Sequence, residues 1–228
     1  MATEMSPAEV EENYRQKMGS DLGSLYHRLW TECVSLHWKW SEFIELYCTS
    51  EGRIAVLNSS APSFFRMVEV SLHEDILLHI ARLVDSPKSF GNHNLSVMRL
   101  PELVDPEIRV EVEQHLQTTE QKCGAARVWR NRRIAHRDLD LALRRPVEAL
   151  PSVGRDVITE ALRSIANLLN ILERHYCGAQ VPYELSGSKS SVKMITLLRD
   201  GLEANNARRE RLRTGKALAE DLAKRRQI

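Results

Sequence analysis

Hydrophobic side chains recur at intervals of three and four residues through most of this 228-residue chain, which is the spacing of one face of an α-helix. Glycine and proline are sparse, with 10 and 8 residues respectively. No segment shows the alternation of a convincing β-strand. The pattern therefore predicts an all-α protein.

Turn-forming residues divide the chain into predicted helices. Ser6-Pro7 is a favourable start for the first helix, which has a possible break at 19–23, and Asp105-Pro106 should cap a later long helix. Residues 86–102 are predicted to be a loop with one short helix. The helices are expected at about residues 7–48, 54–57, 63–84, 106–134, 157–172 and from 190 onward.

The C-terminal part of the chain differs from the rest because its last helix loses its apolar face after Leu202. Residues 204–228 contain eight Lys or Arg against three Asp or Glu, a local charge of +5. We therefore predict a helical bundle over residues 1–178 and a loop with a basic C-terminal helix over residues 179–228.

Composition restricts the location of the protein more than its function. Lys plus Arg (32) nearly balance Asp plus Glu (31), so total charge does not indicate a nucleic-acid partner. The four cysteines form no CxxC pair, the N-terminus lacks a signal pattern, and no apolar run approaches the roughly 20 residues that span a bilayer. We expect a soluble cytoplasmic protein with reduced cysteines and no membrane partner.

Two short motifs resemble enzyme signatures but lack essential residues. HRDL at 136–139 matches a protein-kinase catalytic loop, yet Arg144 stands where that loop requires Asn. His73 and His79 lie about 120° apart on a helix, whereas a zinc-protease helix needs its two His one turn apart. We predict no metal site and no cofactor, and interpret both His as polar positions beside the core.

Helical spacing predicts core or interface positions for four aromatic residues: Trp30, Trp38, Trp40 and Tyr47.

The strongest charge cluster lies at the end of the predicted 106–134 helix. Residues 127–145 contain seven Arg against Asp138 and Asp140, a local charge of +5. Charge alone is compatible with a solvated helix end, whose C-terminus cations stabilise. It is also where a polyanion would bind.

The residue types in this cluster match the requirements of RNA cleavage without a metal. That reaction needs a group that moves protons near pH 7 and fixed cations that stabilise a pentavalent phosphate. His136 suits the first task and Arg130 the second, while Asn131 can orient a phosphate oxygen. His136 could accept the 2'-hydroxyl proton or donate one to the leaving 5'-oxygen. One His cannot easily do both, so either Arg and water supply the rest or two chains face each other in a dimer.

Helical geometry complicates the pairing of Arg130 with His136. Residues six apart on a straight helix point about 120° away from each other, whereas Arg132 and Arg133 share the face of His136. Either the helix ends or bulges before His136, or the phosphate-binding residue is not Arg130.

The sequence from Arg130-Asn131 to His136 resembles the R-x(4 to 6)-H motif of the HEPN superfamily (higher eukaryotes and prokaryotes nucleotide-binding). The similar branch contains proteins related to abortive-infection phage defence. The resemblance also draws on RLVDSPKS at 82–89, NLSVMRL at 94–100 and AHRD at 135–138, and it covers roughly residues 20–178.

This resemblance implies a bundle of four to five core helices with an additional C-terminal helix. It further implies a homodimer with the two motifs facing each other, and a metal-independent endoribonuclease of a defence or toxin system that leaves a cyclic phosphate. RNA would be the substrate, and an antitoxin or other regulatory protein a possible partner. The resemblance implies catalytic roles for Arg130 and His136, with Asn131 as the auxiliary catalytic group. From the charge cluster itself we predict RNA binding by Arg127, Arg132, Arg133 and Arg137, and supporting roles for Asp138 and Asp140, which would orient the Arg cluster or His136.

One alternative stays open. Many HEPN domains have lost activity, so this chain could be a non-catalytic helical module that binds RNA, a nucleotide or a protein.

Some HEPN toxins carry a Tyr two residues after the His, which a partner nucleotidyltransferase modifies, but Asp138 stands there. Silencing of that kind is therefore not expected.

Overall fold

The structure is a computed structural model that describes residues 5–89, 91–135, 138–146, 148–185 and 190–222. The described residues confirm the all-α prediction. Their α-helices are α1 (Pro7–Met18), α2 (Ser20–Tyr47), α3 (Glu51–Ser60), α4 (Pro62–Leu83), α5 (Leu100–Leu103), α6 (Pro106–Lys122), α7 (Gly124–Trp129), α8 (Leu139–Ala142), α9 (Arg155–Cys177), α10 (Ser190–Arg213) and α11 (Ala219–Leu222).

Three kinds of short element complete the described fold. Strands β1 (Lys88–Ser89) and β2 (Asn92–His93) pair antiparallel inside the predicted 86–102 loop. Single turns of 3-10 helix occur at Val97–Arg99 and Tyr183–Leu185, and a π-helical turn occupies Arg130–Ile134. No described helix is long and apolar enough to cross a membrane.

The chain forms two compact units. The first consists of the described parts of Met1–Ser41 and Ser71–Gly187, and the second of those of Glu42–Val70 and Ser188–Ile228. The borders fall within α2 and α4, so both helices contribute to both units. The C-terminal helix thus shares a unit with a segment from the first third of the chain. A domain boundary at residue 178 stays a prediction.

The start of α1 follows directly from its sequence. The Ser6 hydroxyl accepts a hydrogen bond from the backbone N–H of Glu9 (3.3 Å), and the Glu9 carboxylate accepts one from the backbone N–H of Ser6 (2.7 Å). This reciprocal capping box satisfies two N–H groups at the helix end. Gly19, with φ of 84°, ends α1, and α2 begins at Ser20. The break is therefore a single residue.

Helix α9 supplies nine buried apolar residues to the core of the first unit, more than any other described helix. Its buried face packs on α6, and its side chains bind α2 at two points: Trp40 Nε1 donates to Thr159 Oγ1 (3.2 Å), and the Tyr26 hydroxyl donates to Glu173 Oε2 (2.5 Å). Burial raises the pKa of Tyr26, which keeps its hydroxyl a donor. The fully apolar part of this face is Ile158, Ala161, Leu162, Ile165, Ala166, Leu168, Leu169, Ile171 and Leu172.

The second unit has its own small core and an ordered basic tail. Leu46, Leu57, Phe65 and Ile195 form the core, so that the end of α2, α3, the start of α4 and α10 pack together. Asp221 on α11 is buried and bound by Arg211 of α10 at 2.6 and 2.8 Å, which lowers the pKa of this carboxyl to about 2. The described part of the basic tail therefore folds back on itself.

Several predicted boundaries differ from the structure. The helix expected to reach about Ile134 is interrupted at Cys123, continues as α7, and widens into the π-helical turn. Asp105 holds the N-cap position of α6 without a side-chain capping bond, because its Oδ2 lies 3.2 Å from His175 Nε2 instead. Of the aromatic residues assigned to the core or an interface, Trp40 is buried, whereas Trp38 is half-exposed.

Gly23 generates a test of this packing. A Cβ at this position would lie 2.5 Å from the Arg15 Cα and the Tyr14 carbonyl oxygen, so α1 and α2 could not keep their close approach. We expect Gly23→Ala to lower the free energy of unfolding by about 1 to 3 kcal/mol, measured by urea denaturation. Gly124→Ala is the control, because a Cβ there meets nothing within 4 Å. Equal stability of the two variants would contradict the packing.

Candidate active site

The backbone around Arg130 forms a widened helical turn. The N–H of Ala135 donates to the carbonyl of Arg130 (2.8 Å), and the N–H of Asp138 donates to the carbonyl of Arg132 (3.0 Å). The first is the i to i+5 bond of a π-helix, which in proteins often marks a functional segment. The sequence left open whether the helix ends or bulges before His136. The structure shows a bulge immediately before this residue. His136 and Arg137 lie outside the described residues.

Arg130 is held by the carboxylate of Asp85, which was not among the predicted site residues. Its Nη1 lies 2.9 Å from Oδ2 of Asp85, and its Nη2 lies 2.8 Å from Oδ1, so the pair is bidentate. Both side chains are largely buried, with exposures of 25% and 21%. Such a pair fixes the plane of the guanidinium. Two N–H groups are used, and the buried Nε has no hydrogen-bond partner among the described residues.

Asp85 itself is fixed by the segment that follows α4. The Ser96 hydroxyl donates to the carbonyl of Asp85 (2.5 Å) and to that of Leu83 (3.1 Å). Ser96 is fully buried, and its oxygen also accepts from the backbone N–H of Met98 (3.2 Å). The residue that orients Arg130 is therefore positioned by buried backbone contacts.

The other described Arg side chains of the predicted RNA-binding group also have carboxylate partners. Arg127 Nη1 lies 3.0 Å from Glu120, and Arg133 Nε lies 2.9 Å from Glu74. Arg133 additionally lies over the ring of Trp129, 5.4 Å from its centroid. These partners lie on α6 and α4, so the side chains are directed to different helices. The structure does not gather them at one point.

Arg132 and the two supporting carboxylates form a local arrangement after the widened turn. Arg132 donates to Asp138 (3.1 Å) and to the carbonyl of Glu148 (2.9 Å), and Arg145 donates to Asp140 (2.7 Å). Asp138 also caps α8, and the N–H of Leu141 together with Arg132 lowers the pKa of its carboxyl. Within the described residues, both Asp side chains thus bind Arg of their own segment. Asn131, the predicted auxiliary group, is exposed.

A cleft of about 300 Å³ opens beside Asp85. It lies in the first unit and is lined by Glu32, His79, Arg82, Leu83, Asp85, Asn94 and Leu95. The Asn94 amide donates to the Ser86 carbonyl (2.8 Å), which holds the β1–β2 hairpin at one edge. The cleft therefore combines acidic, basic and imidazole groups next to the residue that orients Arg130.

His79 has a more specific environment than a polar position beside the core. Its ring is 2% exposed, and Nε2 lies 2.7 Å from Oε2 of Glu32. Burial and the neighbouring Lys39 cation lower the pKa of His79, whereas Glu32 raises it. His73, by contrast, packs edge-on against Trp129 and lies 3.4 Å from the carbonyl of Val153. Among the described residues, no group of three or more His, Cys, Asp or Glu is placed to hold a metal ion.

Asp85, Glu74 and Glu120 were not predicted from the sequence as partners of the Arg cluster. Asp85 and Glu74 lie 45 and 59 residues before the Arg that each binds. Asp85 falls within the RLVDSPKS stretch that contributed to the HEPN resemblance, and this was the available signal. A carboxylate at the end of an apolar helix cannot be assigned to a particular Arg without the tertiary contact.

The helical architecture is that of a HEPN-like bundle, the class that the sequence resemblance implied. Comparison with family models identifies the family. The model of AbiU2, a HEPN-type family linked to abortive infection, matches residues 19–203, which is most of the chain. The protein therefore belongs to the AbiU2 family of HEPN proteins. No curated protein and no solved structure matches the chain.

The Asp85–Arg130 pair generates a stability prediction. Asp85→Asn removes the charge that faces a largely buried guanidinium, so we expect a loss of about 1 to 3 kcal/mol in the free energy of unfolding, measured by urea denaturation. Asp140→Asn is the matched control, because its pair with Arg145 is about half exposed and should contribute under about 1 kcal/mol. If both variants lose the same small amount, Asp85 does not hold Arg130.

Proposed function

We propose that this protein is a metal-independent endoribonuclease of an abortive-infection or toxin-type defence system. Membership of the AbiU2 family supports the defence context. The observation that carries the catalytic part is Arg130, held in one orientation by Asp85 at a widened turn that leads directly to His136. A fixed cation and an imidazole so close in the chain are what cleavage of an RNA phosphodiester requires.

In the proposed reaction, the ribose 2'-oxygen attacks the adjacent phosphorus and the bond from phosphorus to the 5'-oxygen breaks. The 2'-hydroxyl loses a proton, the departing 5'-oxygen gains one, and the product is a 2',3'-cyclic phosphate. His136 moves one of these protons. The remaining N–H groups on Nη1 and Nη2 of Arg130 stabilise the charge on the pentavalent phosphorus, and Asn131 orients an oxygen of the phosphate.

RNA binding is proposed for Arg127, Arg132, Arg133 and Arg137. The ion pairs of the first three shape this role, because an RNA phosphate must displace a carboxylate or share the Arg with it. The pairs of Arg127 and Arg133 are the more exposed ones and should contribute little to stability, so a phosphate can replace their carboxylates at low cost. Binding should therefore weaken steeply with salt.

A non-catalytic module that binds RNA, a nucleotide or a protein is the second candidate. One observation favours it: each of the four described Arg of the predicted site, including Arg130, already has a carboxylate partner. Such a domain would keep the HEPN fold and bind a partner without chemistry. With either function, the protein could bind an antitoxin or other regulatory protein. We propose a cytoplasmic location in both cases.

Incubation of the purified protein with total RNA in EDTA tests the enzyme proposal. We expect cleavage to fragments with cyclic phosphate ends, and a loss of about 100-fold or more in the rate for His136→Ala, because it removes the proton-transfer group. His115→Ala on α6 is the control, since His115 is exposed and outside the motif.

Two results would decide against this proposal. If wild type and His136→Ala are equally inert at high enzyme concentration, the proposal that this protein is a ribonuclease is wrong. If RNA then binds in a salt-sensitive manner that survives the loss of His136, the non-catalytic module is the better description.

Dimerisation is a separate prediction that rests on the single His of the motif. If two chains face each other, a second His becomes available for the other proton transfer. We expect the protein to sediment as a homodimer at micromolar concentration, with His136→Ala unchanged in mass because the variant affects chemistry alone. A monomer under these conditions would argue against a composite site.

A further inference from the structure

The cleft beside Asp85 holds a carboxylate that the proposed mechanism has not used. RNA cleavage moves two protons, and the motif supplies one imidazole per chain. The cleft is lined by two acids, Glu32 from α2 and Asp85 after α4. Their environments differ, and the difference determines which of them can accept a proton.

Asp85 is committed to Arg130. Both of its carboxylate oxygens accept from the guanidinium, and protonation of Asp85 would break the bidentate pair that orients it. Glu32 has no Arg or Lys ion pair among the described residues, and its side chain is 38% exposed against 21% for Asp85. Glu32 is therefore the carboxylate that a ribose hydroxyl in the cleft can reach.

His79 gives Glu32 a fixed position. The imidazole is buried, and its Nε2 lies 2.7 Å from Oε2 of Glu32 without the alignment of a hydrogen bond. Close contact with the ring therefore positions the carboxylate, and the other carboxylate oxygen remains for a ligand. The charged groups that face His79 are Glu32, Lys39 and Arg82, and Lys39 is itself bound to Asp75 at 2.7 Å. A carboxylate held in this way loses little rotational freedom when it meets a substrate.

Arg82 adds a cation to the lining of the cleft. Its side chain is exposed, and it makes no ion pair among the described residues. A cation without a carboxylate partner can bind phosphate without displacing another group. The cleft thus offers one carboxylate and one unpaired guanidinium beside the Asp85–Arg130 pair.

We propose that Glu32, held by His79, is the general base that accepts the 2'-hydroxyl proton of RNA bound in this cleft, with Arg82 on the phosphate. This inference rests on the proposed ribonuclease function and assigns its second proton transfer. The 2'-oxygen gives its proton to Glu32 and bonds to phosphorus. The phosphorus to 5'-oxygen bond breaks, and His136 donates a proton to the 5'-oxygen. Glu32 then gives its proton to water, and water returns a proton to His136. If two chains face each other, the His136 that donates the proton to the 5'-oxygen can belong to either of them.

A leaving-group substitution separates the two roles. The substrate is an RNA oligonucleotide that the wild-type protein cleaves, resynthesised with sulfur in place of the 5'-oxygen at the mapped cleavage position. A thiolate leaves without a proton, because a thiol is far more acidic than an alcohol. We expect His136→Ala to recover at least about tenfold on the sulfur substrate, since it lacks only the acid. Glu32→Gln should lose about 100-fold on ordinary RNA and stay equally slow on the sulfur substrate.

Two controls keep the result interpretable. Glu160→Gln removes a carboxylate of α9 that pairs with Lys122 and Arg163 and does not line the cleft, and this variant should cleave as wild type does. An oligonucleotide with 2'-deoxyribose at the cleavage position cannot react. Unchanged affinity of Glu32→Gln for it would show that the variant is folded and binds.

The outcomes distinguish this inference from the function on which it rests. If the wild-type protein cleaves RNA and Glu32→Gln cleaves equally well, Glu32 is not the base, while the ribonuclease proposal stands. If the sulfur substrate rescues Glu32→Gln and not His136→Ala, the two roles are reversed and the assignment is wrong. If the wild-type protein cleaves no RNA, the proposed function fails, and this inference fails with it.

Discussion

The continuous buried face of α9 is the constraint on which the first unit depends. A helix that removes this much apolar surface from water must be covered on several sides, and α1, α2 and α6 do so. Two polar contacts then fix α2 along α9, because the buried Glu173 carboxylate needs the Tyr26 hydroxyl and the indole of Trp40 meets Thr159. Burial without these partners would be costly.

The position of α2 in turn determines the chemistry beside α4. Lys39 and Glu32 on α2 face Asp75 and His79 on α4, so the two helices meet through charged and imidazole groups as well as apolar ones. The chain continues from α4 to Asp85, where it binds Arg130. Each step is a short contact between residues that are far apart in sequence. The candidate site is therefore a consequence of how the bundle packs.

The charge of the Arg-rich segment has a different meaning in the folded protein. Locally it is strongly basic, yet Glu74, Asp85 and Glu120 bring compensating charge from elsewhere in the chain. The segment is therefore closer to an ordered ion-pair network than to an open basic patch. The placement of Arg130 is therefore more informative about this HEPN protein than the number of cations in the segment. Family membership and fold do not by themselves determine function, which depends on the side chains at the site.

The sequence by itself determined the helical class, the capping of α1 and the location of the Arg130 to His136 motif, because these depend on residues a few positions apart. It also carried the HEPN resemblance that the family match confirms. Only the tertiary structure decided that α7 widens at Arg130, that Asp85 is the partner of this Arg, and that Glu32 meets His79. Local patterns specify faces and ends of helices, whereas ion pairs between helices depend on their packing, which no short stretch of sequence contains.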